Sequence, residues 1–380
     1  MTVLHTYLKK VYNQITPKLV QSWITPTNEE RGILRRLDYA YGFTKAHGIH
    51  IKKEDINPDG LLQILKNSAN GNSCVQYVIK EVEKTCIQIK NMHCAFLVAE
   101  YEQFHKETTQ FLGEFYKTMN DPSLGQTFDL ESQETIYRMR KKNQDEEIPK
   151  ERKDFFHVPF DKRYLMGTYR YSIPGYPSLY CSSSVYGAWE EMGRGHIQDY
   201  GYIAYKTSEP VRLLDLRWRF DKAIKEDETL LKYYILRLPI IIACSMQVMK
   251  SSDRFVPEYI FSQQIFQWLM VQMRLNADNT TMGVLYTSTK KEVWNALVEN
   301  EKDKEKEMEE ITNYALLAYT TREERTQYSQ TLASKLRGQL PIEINWRISA
   351  KKSIYEILGE VQEKLNSNST HFMSMKNQIK

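Results

Sequence analysis

Cysteine is scarce in this sequence, and its spacing excludes one large class of proteins. Five cysteines lie at irregular intervals among 380 residues, and an odd number without close-spaced pairs is not typical of a disulfide-stabilised secreted domain. Cys86, His93 and Cys94 lie near one another but lack the two close ligand pairs of a structural zinc site. We therefore expect a cytoplasmic protein that binds no metal.

Long apolar runs and an excess of one charge are also missing. The most apolar run, residues 238–248, is far shorter than the roughly 20 residues that a membrane span requires, so we expect a buried strand or helix there. Residues 1–23 are interrupted by lysines and lack the apolar core of a signal peptide. The 52 basic and 48 acidic residues leave a net charge of +4, which argues against a dedicated nucleic-acid binder. Membrane and nucleic acid are therefore not expected partners.

The first 130 residues are predicted to be mainly helical. A short amphipathic helix is predicted at residues 61–65, and between residues 75 and 116 apolar side chains recur at intervals of three and four. That spacing places them on one face of a single long helix, or of two helices with a bend near Asn91. The turn-rich residues 120–133 then predict a domain boundary.

The remainder of the chain is predicted to combine strands and helices, so the expected fold class is α+β. Aliphatic and aromatic residues predict strands at 201–205, 211–216, 283–286, 314–319 and 340–344. Helices are predicted at 259–273 and 322–336. We expect this second domain to span residues 131–365 and to be followed by a frayed tail at 366–380.

The most locally ordered part of the sequence is residues 170–191. Pro174 and Gly175 predict a turn, because proline presets one backbone dihedral angle and glycine accepts a positive one. A short apolar strand follows at 179–181, and serines at 182–184 offer a helix N-cap before apolar residues at helical spacing. An arginine, a strand tyrosine and a helical carboxylate therefore lie close together in the sequence and could meet in one cleft: Arg170, Tyr180 and Glu191.

Residues 170–191 resemble the RES domain, a family of NAD-degrading bacterial toxins whose fold is related to ADP-ribosyltransferases. Three further blocks resemble the same family and follow its order within residues 135–345. They are 137–140 together with 156–163, then 258–263, and then 283–288. Ser262 stands where the family pattern has proline. Four ordered blocks are a specific signal, so we expect an ADP-ribosyltransferase-like mixed β-sheet domain with helices after the helical N-terminal region.

The resemblance also implies roles for individual residues. Arg170 corresponds to the family arginine that contacts the dinucleotide phosphates, and Tyr180 to the strand tyrosine beside the nicotinamide ribose. Glu191, eleven residues after Tyr180, fits the spacing of the family glutamate, with Glu190 as the alternative. Ser288 corresponds to a late serine that holds the substrate through its hydroxyl. Basic side chains that could assist in cofactor binding are Arg138, Arg140 and Arg163.

These residue types suit the cleavage of NAD. Breaking the N-glycosidic bond develops positive charge on the ribose while neutral nicotinamide leaves, so an anion is needed near the ribose and no general acid is required. His157 and His196 are accordingly expected to be structural. The predicted function is a toxin or defence effector that consumes NAD, with inorganic phosphate or water as the acceptor. The alternatives are an ADP-ribosyltransferase that modifies a protein or nucleic acid, and a non-catalytic interaction module.

The expected partners follow from the same resemblance. The family's short toxins pair with a helix-turn-helix antitoxin, so an antitoxin or another regulatory protein is implied, and a homo-oligomer is left open. The helical N-terminal region departs from those short toxins. It could regulate the cleft, sense a trigger or mediate assembly.

Overall fold

The computed structural model of the protein describes residues 71–119, 126–132, 134–142, 150–218, 227–245, 256–275, 281–289, 311–324, 326–344, 352–367 and 372–379. The chain divides into two compact units. Among the described residues, the first unit holds those up to Thr127 and those within Leu216–Trp268, and the second unit holds the rest. A later segment of the chain therefore belongs with the N-terminal unit. The helix predicted at 61–65 lies outside the described residues.

The described residues form seven α-helices and ten β-strands. The helices are α1 (Gly71–Leu97), α2 (Tyr101–Met119), α3 (Val185–Glu191), α4 (Glu228–Cys244), α5 (Ile260–Leu275), α6 (Gln330–Lys335) and α7 (Ile354–Ser367). The strands are β1 (Thr127–Leu130), β2 (Thr135–Lys141), β3 (Ser178–Ser182), β4 (Tyr200–Thr207), β5 (Val211–Leu216), β6 (Thr281–Thr287), β7 (Thr312–Leu317), β8 (Leu336–Gly338), β9 (Ile342–Glu343) and β10 (Met373–Ser374).

The helices α1 and α2 are separate because the chain turns between them at Ala99, whose φ of 64° departs from the helical path. The break comes several residues after the bend predicted near Asn91. In α4, the side chain of Asp227 accepts a hydrogen bond from the Leu230 amide at 2.9 Å and so caps the first turn. The apolar run that was predicted as a strand or helix begins in the C-terminal part of α4.

The ten strands form one sheet, in the order β1-β5-β6-β7-β3-β2-β4-β8-β10, with β9 paired to β4. The strand β3 lies between β7 and β2 and is antiparallel to both. The strands predicted at 201–205, 211–216 and 283–286 are confirmed as β4, β5 and β6. The helix predicted at 322–336 is wrong in its extent, because only α6 is helical and β8 follows it at once. The α+β fold class is as predicted.

The two faces of the sheet pack against different helices, because successive side chains of a strand point to opposite faces. On what we call the α6 face, buried strand residues pack with α6; they include Ile136, Leu179, Cys181, Ile203, Tyr314 and Leu316. On the opposite face, the α3 face, a second cluster packs with α3 and α7; it includes Tyr137, Met139, Tyr202 and Ala204. The position of a residue within its strand therefore decides whether its side chain can reach α3.

The C-terminal tail is ordered where the structure describes it, which corrects the frayed tail predicted at 366–380. The strand β10 pairs with β8 in antiparallel register, Met373 opposite Gly338. Met375 is fully buried and Ile379 is 7% exposed, and both belong to the cluster on the α6 face. The edge of β8 offers backbone hydrogen bonds, and β10 pairs with it there. The two apolar side chains, Met375 and Ile379, hold the tail against the core.

Candidate active site

The helix α3 begins and ends at residues whose local chemistry explains its bounds. The Ser184 hydroxyl accepts a hydrogen bond from the Gly187 amide at 2.8 Å, so the predicted serine N-cap is confirmed. Beyond the helix, Gly193 and Arg194 have φ values of 82° and 57°. Their amides donate to Glu190 O at 3.0 Å and Trp189 O at 3.2 Å, which is the Schellman arrangement that closes a helix. The two adjacent glutamates thus lie in the last turn of a helix with fixed ends.

Glu190 is committed to an ion pair within its own turn. Glu190 is 2% exposed, and its two carboxylate oxygens share the single Nε–H of Arg194, at 3.0 and 2.9 Å. Arg194 Nη2 lies 2.8 Å from Glu190 Oε1, and the guanidinium lies 5.8 Å from the centroid of the Trp189 ring. The structure therefore does not bring Glu190 to the other predicted site residues.

Glu191 points instead to the ends of two strands. Its Oε1 accepts a hydrogen bond from the Ser288 hydroxyl at 2.5 Å and another from Asn313 Nδ2 at 2.8 Å. Ser288 directly follows β6 and is 1% exposed, and Asn313 lies in β7 and is 2% exposed. Glu191 itself is only partly buried. The described hydrogen bonds to the Glu191 side chain all go to Oε1, and none of them goes to Oε2.

Arg170 is hydrogen-bonded to the residue that follows Ser288. Its side chain is 7% exposed, and Nη2 donates to Thr289 Oγ1 at 2.9 Å. Because Thr289 follows Ser288, consecutive residues at the end of β6 hold the guanidinium and the carboxylate. The predicted turn that precedes β3 is confirmed, since Gly175 has a φ of 67° and the Tyr176 amide donates to Ile173 O at 2.9 Å.

Tyr180 is tied to the residue that follows Arg170. Its hydroxyl donates to Tyr171 O at 2.5 Å, and its ring packs edge-on against Tyr169 with centroids 5.8 Å apart. In β3, Tyr180 is opposite Ala315, and Ser182 is opposite Asn313. Side chains two apart share a face, so Tyr180 lies on the same face as Asn313. The structure thus brings Arg170, Tyr180, Glu191 and Ser288 into one region of the second unit.

Three other predicted phosphate contacts lie elsewhere. Arg138 is opposite Ile203 and therefore lies on the α6 face, from where its Nη1 donates to Tyr180 O at 2.7 Å. Arg140, on the same side, donates to Asp154 O. The guanidinium of Arg163 lies 5.2 Å from the centroid of the Phe160 ring. None of the three contacts Glu191, and their role in cofactor binding stays a prediction.

Sequence reasoning missed Asn313 and Thr289. Both are small polar residues whose importance comes from what they meet across the sheet, and neither belongs to the quoted blocks of the resemblance. One local signal existed for Asn313, because a polar amide side chain is unusual in the mostly apolar strand Thr312–Leu317. Thr289 gave no such signal, since threonine is common at the end of a strand.

His157 is held as a neutral, structural side chain. Its Nδ1 lies 2.8 Å from Val158 O, and its Nε2 accepts a hydrogen bond from the Ser329 amide at 2.9 Å. The ring packs 4.6 Å from Phe156 and 5.5 Å from Tyr328. Burial lowers the pKa of His157 from 6.5 to about 4. The imidazole is therefore neutral at pH 7 and does not carry the second proton that a general acid would donate.

This histidine predicts a specific acid sensitivity of the fold. Between pH 6.5 and about 4, the unfolded chain binds a proton at His157 that the folded protein does not. The free energy of unfolding therefore falls as pH is lowered through that window, by roughly 3 kcal/mol at most. Urea unfolding at about pH 7 and about pH 4.5 measures this, with His157→Gln as the comparison. The Gln oxygen can still accept from Ser329 but does not titrate, so an equal pH slope in the variant would contradict the prediction.

Comparison with known proteins adds one similarity. Over 167 residues the chain is 32% identical to the Bacillus subtilis (strain 168) protein named "Putative toxin YopC". The aligned region covers 41% of this chain and 36% of that protein. No family model matches the chain, and no solved structure matches it. In the part of the chain that the structure describes, no helix is both long enough and apolar enough to span a bilayer.

Proposed function

We propose that this protein is a toxin or defence effector that cleaves the bond between nicotinamide and ribose in NAD. The observation that carries the proposal is the Glu191 cluster. A partly buried carboxylate is held through one oxygen by Ser288 and Asn313, with the other oxygen left for a ligand. The similarity of part of the chain to a protein named as a toxin supports the biological half of the proposal.

The carboxylate suits the charge that develops in this reaction. As the bond between C1 of the ribose and the nicotinamide nitrogen breaks, its electron pair leaves with the nitrogen, which becomes neutral, and the ribose gains cationic character. Glu191 Oε2 stabilises that cation. A negative charge about 4 Å away contributes roughly 4 kcal/mol at an effective dielectric constant of about 20. That is about three orders of magnitude in rate.

Arg170 and Tyr180 supply the contacts that orient NAD in this proposal. The Arg170 guanidinium is planar and its donors match pairs of phosphate oxygens. It uses Nη2 to bond Thr289, which fixes the fork next to the residue that holds Glu191. Tyr180 presents its ring beside Tyr169, which offers an aromatic surface for a base or the ribose. Arg138, Arg140 and Arg163 remain second choices as phosphate contacts.

The acceptor completes the reaction without a metal step. Either a phosphate oxygen attacks C1 to give a phosphorylated ADP-ribose, or a water attacks and releases its proton to solvent to give ADP-ribose. A protein that drains NAD has to be restrained in its own cell, so an antitoxin or regulatory partner belongs to the proposal. An ADP-ribosyltransferase would use the same first step with a macromolecular acceptor.

The deciding experiment is to incubate the purified protein with NAD, with and without inorganic phosphate. Nicotinamide release is followed by chromatography and the ribosyl product by mass. We expect release, with the product mass telling phosphorolysis from hydrolysis. Release only after addition of a protein or nucleic-acid fraction would favour the transferase, and intact NAD under every condition would overturn the proposal.

A further inference from the structure

Asn313 holds Glu191 through its amide nitrogen, and among the described residues its amide oxygen has no partner. Nδ2 lies 2.8 Å from Glu191 Oε1. Because a carboxylate can only accept hydrogen bonds, the amide nitrogen and not the amide oxygen must face it. The oxygen, Oδ1, is buried and has no hydrogen-bond partner among the described residues. The described hydrogen bonding of this side chain is therefore directed at Glu191 alone.

This arrangement works against the stability of the sheet. A buried acceptor without a donor is unfavourable, whereas an apolar side chain of similar size is tolerated at such a position. The cross-strand neighbour does not relieve it, since the Ser182 hydroxyl donates to Thr312 O at 3.1 Å. The other strand residues of β7 are mostly apolar and fully buried. Packing alone would thus favour a residue such as leucine at position 313.

We propose that Asn313 is a positioning residue that fixes the orientation of Glu191, an inference that rests on the NAD cleavage proposed above. Ser288 and Asn313 reach the same oxygen from the end of β6 and the start of the neighbouring strand β7. One donor would leave the carboxylate free to rotate about that bond. Two donors from a rigid sheet hold Oε1 in place and thereby aim Oε2 at the reacting carbon.

The test compares Asn313→Leu with the wild type for both catalysis and stability. Because small displacements of a group near the reacting atoms cost about 100-fold in rate, we expect kcat for nicotinamide release to fall about 10- to 100-fold. The KM for NAD should change by less than about threefold, since Asn313 does not contact NAD in this proposal. The midpoint of thermal unfolding should stay within about 2 °C or rise, because the unpartnered acceptor is gone.

Two further variants separate positioning from packing. Asn313→Asp keeps the size of the side chain but replaces the donor with a second carboxylate beside Glu191, so we expect a larger fall in kcat, about 1000-fold. Ser182→Ala removes a buried hydroxyl from the facing strand residue and should leave kcat unchanged. An unchanged kcat in Asn313→Leu would overturn the inference alone. A fall in the unfolding midpoint that matches the lost activity would assign a structural role instead, and a wild type that releases no nicotinamide overturns the proposed function and this inference with it.

Discussion

Glu191→Gln should lower the rate of nicotinamide release from NAD by about three orders of magnitude and should abolish toxicity on expression. The substitution keeps the length of the side chain and an oxygen that can accept from Ser288 and Asn313. It removes only the negative charge that faces the developing cation. The loss should therefore appear in kcat, because the ground state of NAD carries no such charge on C1 of the ribose. Single-turnover rates measure the loss of catalysis and growth after induced expression measures the loss of toxicity, while unfolding curves of the two proteins check that the variant is folded.

The neighbouring glutamate provides the matched control. Glu190→Gln removes a charge of the same type one residue earlier, but that charge is bound to Arg194. We expect a loss of about 2 kcal/mol in stability, since the charge-assisted contacts with Arg194 Nε and Nη2 are weakened. We expect a rate per folded molecule within about threefold of the wild type. The reverse outcome, with Glu190→Gln inactive and Glu191→Gln active, would place the functional carboxylate one residue earlier than we propose.

The local part of this site was predictable from the sequence because its signals are local. The turn at Pro174 and Gly175, the strand after it and the serine cap of α3 lie within one short stretch. Each follows from backbone preferences of single residues. The resemblance to a known family then indicated which side chains of that stretch are candidate site residues. Glu191 and Ser288 were both chosen as site candidates from that resemblance, and the structure brings them into contact. Their roles in catalysis stay a prediction.

The rest of the site depends on strand order and register, which a single sequence does not specify. Asn313 meets Glu191 only because β7 lies next to β3 with Asn313 opposite Ser182. Arg138 is likewise separated from the side chain of Tyr180 by the sheet itself, since its position in β2 turns it to the α6 face. A shift of one residue in the pairing of β7 would turn Asn313 to the other face, and a shift of one residue in the pairing of β2 would do the same to Arg138. The tail that pairs with β8 was missed for the same reason.

Arg170→Lys should raise the KM for NAD about 100-fold while lowering kcat far less. Lysine keeps the charge but loses the planar fork, so it cannot both bond Thr289 and present paired donors to phosphate oxygens. Losing one or two hydrogen bonds to a charged group costs about 3 kcal/mol, and every 1.4 kcal/mol is about tenfold in affinity. Steady-state kinetics over a range of NAD concentrations separates KM from kcat, and a binding titration with a non-cleaved NAD analogue gives the same comparison at equilibrium.

Two other arginines show whether this effect is specific to position 170. Arg212 on β5 forms an ion pair with Asp129 on β1, with Nε 3.0 Å from Oδ1. Because partly exposed ion pairs contribute little to stability, Arg212→Lys should leave the KM for NAD unchanged. Arg163 is the exposed alternative, packed over Phe160. If Arg163→Lys raises KM and Arg170→Lys does not, the phosphates bind at the Arg163 side and the cleft is oriented differently from the proposal. If Arg170→Lys lowers stability and kcat together without changing KM, the buried guanidinium serves the fold, because only a contact with NAD predicts a selective change in KM.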